Sequence, residues 1–460
     1  MTLLIGHEIV ADLGMLVRAG YQIPAGPYFC THTAARWCWP DEPDGGLESL
    51  ALKTTNIGQW RETLGRIEFE DFDHLPDHLI AQRCGGDAEA AYKLYEQLKD
   101  EIPAQGLDRV WRLAMDVLPI LAAMGGRGMA LDYDLLKQRE RDEGAFVQQE
   151  RASLEALLGI QNLNSDQQVA GALYGSKWRA QTLRSTTKGY SVDRLCLLWA
   201  KRSAERGRRK DLASLLGRIL DYNEREKLHS TYYAGWLGPE TADERVHSVY
   251  TLGRTSTGRL SSYEENLQNV PEVVRECIVP STGYDTIVSA DAKALEFRIA
   301  AHISGDRTMR QWVQQERDVH SIMAARVLGL PEPTTPDQYR QFKTDHPMER
   351  ACGKMTVFAT LYGIEAESLA WKIFKDTEGT VWLPPQDAQQ YINTFFEFFK
   401  DYQPYLEWLK TQDHIVSPTG RHWWLPRTDN GLRKKQNYPV QSLASDLVLL
   451  WLRSVARGLQ

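Results

Sequence analysis

Apolar residues recur at helical spacing through much of the chain. Ala91, Leu94, Tyr95 and Leu98 fall three or four apart, which gathers their side chains on one face of a helix, and Pro103 marks a boundary after them. From about 107 to 235 one helical pattern follows another, including Val110 to Met124 and Leu135 to Leu158, with turn signals at Gly125-Gly126 and Lys188-Gly189. Residues 1 to about 100 read as small helices and loops punctuated by Pro and Gly, as in Trp39-Pro-Asp-Glu-Pro-Asp-Gly-Gly46. Between Val246 and Val288 the pattern changes to short β-like runs, Val246-His-Ser-Val-Tyr-Thr251 and Thr286-Ile-Val-Ser289. Helical spacing then returns, interrupted by Leu330-Pro-Glu-Pro-Thr-Thr-Pro336, which reads as a surface loop. There is no internal repeat and no low-complexity tract.

Such a mixture in 460 residues, 42% hydrophobic and 25% charged, is globular material sufficient for two to four domains. It contains no apolar run of the ~20 residues needed to span a bilayer, and its first residues lack a charged leader region, so a cytoplasmic protein is expected, in a host cell if phage-encoded. The six cysteines, Cys30, Cys38, Cys84, Cys196, Cys277 and Cys352, share no spacing with one another or with His, which argues against a zinc site or a disulfide framework. A net charge of −7 argues mildly against nucleic acid as a partner, because backbone binding relies on Lys and Arg displacing counterions. Local charge matters more. Lys201-Arg202-Ser-Ala-Glu-Arg206-Gly-Arg208-Arg209-Lys210 is strongly basic, while acids concentrate elsewhere, as in Glu68 to Asp77. Read alone, the basic run is equally a solvated helix face.

The most informative segment is Arg350-Ala-Cys-Gly-Lys354-Met-Thr-Val-Phe358-Ala-Thr-Leu-Tyr362-Gly363. As a helix it puts two cations, an aromatic ring and a phenol on one slowly drifting face. A core face would not carry Arg and Lys one turn apart. Arg350 as a fork and Lys354 as a point charge can neutralise a triphosphate, and Phe358 offers a plane for a base or sugar. Without its neighbours the same stripe would serve as the exposed side of an amphipathic helix.

With its neighbours, the segment resembles the nucleotide-binding helix of family A DNA polymerases: Arg, Lys four on, Phe or Tyr four on, then Tyr-Gly. Further family motifs flank it in order: Thr257-Gly-Arg259-Leu-Ser-Ser262, Asn266-Leu-Gln268-Asn269-Val-Pro271, Asp291-Ala-Lys-Ala-Leu-Glu296-Phe-Arg298, and Arg433 with Asn437-Tyr-Pro-Val-Gln441. The Asp-Ala-x-x-Leu-Glu version looks more like phage replicative enzymes than bacterial DNA polymerase I. The resemblance implies an α+β right-hand polymerase with a partial α/β 3′-5′ exonuclease-like N-terminal domain. Its parts would be that domain at 1–105, thumb at 106–245, palm at 246–315 and 429–460, and fingers at 316–428. Asp291, after a β-type run, would be a catalytic metal ligand for two Mg²⁺ ions; on its own it reads as a helix N-cap. Lys354 would act in catalysis and, with Arg350, Phe358, Tyr362, Glu296 and His320, in nucleotide binding, Glu296 crowding the sugar. Arg259, Gln268, Asn269, Arg433, Asn437 and Gln441 would touch primer, template or the nascent pair, where amides and guanidinium reach minor-groove acceptors shared by all base pairs. A Phe at 358 implies discrimination against dideoxynucleotides.

Two departures qualify the match. Beyond Gln441 the family continues into a hairpin bearing His-Asp-Glu, whose Asp is the second metal ligand; no counterpart follows Ser445-Asp446 before Gln460. A complementing C-terminal polymerase fragment is therefore expected, covering apolar palm surface, beside primer-template DNA and dNTP as partners, with room for a processivity factor and no membrane. The alternative is a remnant that binds primer-template or nucleotide without catalysis. At the other end, Ile5-Gly-His7-Glu8-Ile-Val-Ala-Asp12 and Arg83-Cys-Gly-Gly-Asp87 resemble two exonuclease motifs with substitutions. Asp12 and Asp87 would be the remnant of that site, and no proofreading is expected.

Overall fold

The computed structural model describes residues 2–40, 42, 44–60, 75–175, 177–186, 189–238, 241–424 and 429–458, with the side chains of 423, 424 and 429–434 left out. The acidic stretch from Glu68 thus lies largely outside the described residues.

The N-terminal unit opens with a parallel pair, β1 (Leu4–Gly6) and β2 (Tyr28–Cys30), joined by α1 (Ile9–Arg18). It continues through α2 (Thr31–Cys38), α3 (Leu47–Thr54) and α4 (Asp77–Ala104). At 28 residues α4 is longer than the small helices expected of this region, and it ends one residue after Pro103. Next comes α5 (Asp108–Arg127), which runs through Gly125-Gly126 rather than turning there. Those glycines serve close packing: a Cβ on Gly125 would collide with the Ser248 carbonyl oxygen, and one on Gly126 with Gly14 O and Val17. The expected turn therefore became a helix contact, with α1 seated on the bare backbone.

Helices α6 (Tyr133–Leu158), α7 (Asp166–Tyr174), α8 (Arg194–Arg206) and α9 (Lys210–Leu228) follow. They are accompanied by β3 (Met129–Ala130) and the hairpin β4 (Ser185–Thr186) and β5 (Gly189–Tyr190). Their core includes Leu154, Leu197, Leu215, Leu216, Ile219 and Tyr222. Then β6 (Arg245–Val246) pairs antiparallel with β3, and β7 (Val249–Thr251) with β8 (Ser261–Tyr263). The first predicted β-like run thus forms strand. The second does not: Thr286–Ser289 carries no strand pairing among the described residues, and Ile287 and Val288 are 47% and 86% exposed. β-propensity expresses fit to neighbouring strands, and here no neighbour is in place.

The remaining helices are α10 (Leu295–Ser304), α11 (Arg307–Gln314), α12 (Val319–Val327), α13 (Pro336–Asp345), α14 (Pro347–Leu361), α15 (Ala366–Asp376), α16 (Pro385–Phe398), α17 (Tyr402–Thr411) and α18 (Asp429–Gly458). A hairpin of β9 (His414–Val416) and β10 (His422–Trp424) precedes α18. The 330–336 loop ends in a capping box, in which Thr335 accepts from the Gln338 backbone and the Gln338 side chain from the Thr335 backbone. The largest core gathers Phe297, Trp312, Val357, Leu361, Phe395, Phe399, Tyr402 and Leu443 from α10 through α18. Each such side chain contributes roughly 1.5–3 kcal/mol of burial, and the shared core joins α14 to α18. No described helix is long and apolar enough to cross a membrane.

Candidate active site

Helix α14 does form across the 350–361 stripe, starting with Pro347 in its first turn. It stops where Gly363 takes φ 67° and packs so tightly on Gln436 that a Cβ would overlap its side-chain amide. Because four residues exceed one helical turn by about 40°, the stripe drifts. Arg350, Lys354 and Phe358 line one cleft of about 1030 Å³, whereas Phe358 and Tyr362 line an adjoining cavity of about 550 Å³.

The first cleft also holds Arg259, Gln268, Asp291, Glu296 and His320. The second shares Arg259, Glu296 and Phe358 with it and adds Asn437 and Gln441 from α18. Motifs spread over almost two hundred residues thus meet in two connected spaces. Asn269 sits on the 3-10 turn Leu267–Asn269 beside Gln268, its amide donating to Asn266 Oδ1 at 3.2 Å, but it lines neither cavity. The Arg433 side chain lies outside the described residues.

Several charges are already paired. Arg350 grips Asp318 with Nε and Nη2 (3.1 and 3.0 Å) and reaches Ser321 Oγ at 3.1 Å. Burial alone would raise the Asp318 carboxyl, but hydrogen bonds from Ser321 and the Arg350 charge hold it below its ordinary pKa. Asp318 also caps α12 through the backbone N–H groups of His320 and Ser321. Glu296 is bound to Arg259. Lys354 is exposed and has no ion pair among the described residues, leaving its ammonium available to an anion. Its Nζ lies 6.0 Å from the Phe358 ring centroid.

His320 lies against Phe358, with centroids 5.5 Å apart and planes tilted by 34°. Burial pushes its imidazole down to about 4 against the opposing pull of Asp318, so the ring is neutral near pH 7. Its Nδ1 is buried without a hydrogen-bond partner, as is Asn437 Oδ1; both are polar atoms a substrate could satisfy. Burial, then the Glu296 charge, raises the Tyr362 hydroxyl far above its ordinary value, so it remains a phenol.

Asp291 lines the cleft, but the strand-end placement expected for it is not found: it lies exposed in an irregular segment ahead of α10. The sequence reading passed over Glu316, a second exposed carboxylate in the cleft, held at φ 52°. Its only signal was a non-glycine residue in a turn between helices. Asp12 and Asp87 lie outside both cavities. Asp87 accepts from Trp60 Nε1 at 2.7 Å and Arg83 Nε at 3.2 Å, and the Asp12 carboxyl is raised by burial and by the nearby Glu8. Among the described residues no three His, Cys, Asp or Glu side chains are grouped to hold a metal ion. All six cysteines are free thiols. The basic run from the end of α8 to the start of α9 is partly spent on the protein itself: Arg202 donates to the Gly379 and Thr380 carbonyls at 2.8 and 3.0 Å, and Arg209 to Arg179 O at 2.9 Å.

A cationic helix, an open carboxylate and amides from α18 thus line two connected cavities. The model of DNA polymerase family A matches residues 134–460, and the chain belongs to that family. DNA polymerase I of Treponema pallidum is 26% identical over 99% of this chain and 45% of its own length. That of Rhizobium leguminosarum is 28% identical over 82% of this chain and 36% of its own. The chain thus spans less than half the length of these relatives. The polymerase domain of Pol1 from M. smegmatis, solved with DNA primer-template and dNTP, superposes with a TM-score of 0.77 at 23% identity, covering 98% of this chain and 75% of that one. The likeness establishes an α+β polymerase fold.

Proposed function

We propose that this chain carries out template-directed DNA synthesis, with thumb, palm, fingers and exonuclease-like parts divided as the motifs suggest. The observation that carries the reading is the unpaired Lys354 facing the same cleft as Asp291, with Phe358 between that cleft and the cavity of Asn437 and Gln441. In the reaction the primer 3′ oxygen bonds to the α-phosphorus of a dNTP and pyrophosphate leaves. Lys354 and Arg350 hold the phosphates, and Phe358 and His320 flank the base and sugar. Tyr362 and the Glu296–Arg259 pair close the sugar side, and Arg259, Gln268, Asn269, Arg433, Asn437 and Gln441 follow the duplex. Two Mg²⁺ ions would supply acidification of the primer hydroxyl and charge neutralisation at the phosphates. Asp291 fits a role in holding them, being an open oxygen ligand, whereas Glu296 and Asp318 are engaged by arginines.

A complementing C-terminal polymerase fragment would bring the second carboxylate. The exposed, unpaired Thr286–Ser289 run, with Ile287 and Val288 open to solvent, supports that part of the reading. The decisive test is primer extension with Mg²⁺ and dNTPs, with and without a polypeptide carrying the family's final hairpin. Extension that needs Asp291 and falls at least tenfold in Lys354→Ala is expected. Extension indifferent to Asp291→Ala would overturn the assignment. The reading of a binding module without catalysis would gain if duplex and nucleotide both bind but no extension follows in either condition.

A further inference from the structure

The segment that resembles an exonuclease motif has a different set of contacts here. Glu8 is a non-glycine residue in the left-handed region, φ 57° and ψ 35°, immediately before α1, a conformation strained for a residue with a Cβ. Its carboxylate accepts from Arg254 Nε and Nη2 at 3.1 and 3.2 Å and from the Tyr263 hydroxyl at 3.3 Å. The Arg254 guanidinium lies over the Tyr263 ring, 3.7 Å from its centroid. Burial raises the Glu8 carboxyl, yet the Arg254 contacts prevail and it stays below its ordinary pKa, while burial takes His32, 3.7 Å away, down to about 4. At neutral pH Glu8 therefore meets Arg254 as an anion and His32 as a neutral ring.

Arg254 belongs to the loop between β7 and β8, which also carries Arg259, the residue shared by both cavities. The N-terminal unit holds the start of this loop at two more points: Thr33 Oγ1 donates to Leu252 O at 3.1 Å and Arg36 Nε to Gly253 O at 3.4 Å. Its far end is held from the other side, where Ser445 of α18 donates to the Gly258 carbonyl. Inside the loop, Thr255 Oγ1 donates to Arg259 O at 2.8 Å, tying the Arg254 end to the Arg259 end. A bidentate arginine pair at a strained, fixed backbone position restrains the loop in a way one flexible surface pair would not.

We infer that the N-terminal unit is a brace for primer-template binding, with Glu8 a positioning residue that acts through Arg254 to hold Arg259 at the cleft. This rests on the reading of Arg259 as a duplex contact. It explains why an acid stands at a left-handed position where glycine or asparagine would be less strained: the carboxylate is needed by a loop some 250 residues away.

Glu8→Gly separates positioning from folding, because it removes the carboxylate and relieves the backbone strain together. The expected result is an unchanged or higher Tm, faster amide exchange across 252–260, and a fluorescent primer-template held three- to tenfold more weakly by anisotropy. The exchanged pair Glu8→Arg with Arg254→Glu should recover much of the loss. Unaltered amide exchange in the loop, or unaltered duplex affinity in a protein whose parent binds duplex, would overturn the inference. Should the parent chain bind no duplex, the reading of the site as a polymerase fails separately, and the amide exchange of 252–260 alone decides the brace.

Discussion

Phe358 and His320 show how much chemistry depends on a few atoms. Phe358 lines both cavities with a ring that carries no polar atom, and a tyrosine there would add a donor beside the incoming sugar. Phe358→Tyr is therefore expected to raise use of ddNTP relative to dNTP at least tenfold, about 1.4 kcal/mol, measured by competitive primer extension; an unchanged ratio would refute the role given to this ring. His320 makes a prediction about stability. Its folded pKa, about 4, lies below the ordinary 6.5, so the unfolded chain binds more protons between those values and stability falls as pH drops from 6.5 toward 4. His32 is shifted the same way, also to about 4. The Tm of His320→Phe should depend less steeply on pH in that window than the parent's, with the remaining slope due in part to His32. Asp318, lowered instead, withdraws its contribution only below that window. The residue identities at 350, 354, 358 and 362 were readable from spacing. The Arg350–Asp318 pairing was not, because the partners lie 32 positions apart on different helices.

Among the elements, α15 stands out for the two neighbours it joins. One side, with Ser368 and Lys372, lines the smaller cavity. The other packs Trp371 and Phe374 against Trp199 of α8, with Trp382 completing an aromatic cluster whose centroids are 4.7–6.0 Å apart. Phe374 is fully buried in the core of α6 to α9. Phe374→Ala is expected to cost about 3–5 kcal/mol, seen as a lower urea midpoint, and to increase amide exchange in α8 as well as α15; loss confined to α15 would show that the contact does not couple them. Helical period identified most of these helices, since it reports local amphipathicity. It misread Gly125-Gly126 as a turn because the neighbours that need the two missing side chains, Ser248 for Gly125 and α1 for Gly126, are distant in sequence.

At the scale of the whole molecule, the 284–289 segment leaves large apolar side chains open to solvent. Tyr284 is 74% exposed, close in sequence to the exposed Ile287 and Val288. Val288→Lys should suppress aggregation of the chain without changing its Tm, by light scattering and thermal unfolding, because no described residue buries that side chain; a lowered Tm would mean that it packs. Family, helical content and the cationic stripe followed from residue order alone, since propensity, period and motif spacing are local properties written within a few turns of chain. Three features depended on packing over long separations. Thr286–Ser289 has strand propensity but no strand partner among the described residues, and pairing is a relation between segments. The drift of α14 divides one motif between two cavities, which shows only once α10, α12 and α18 close around it. The Glu8–Arg254 contact links opposite halves of the sequence, and a left-handed glutamate is explicable only when the guanidinium it holds is in view.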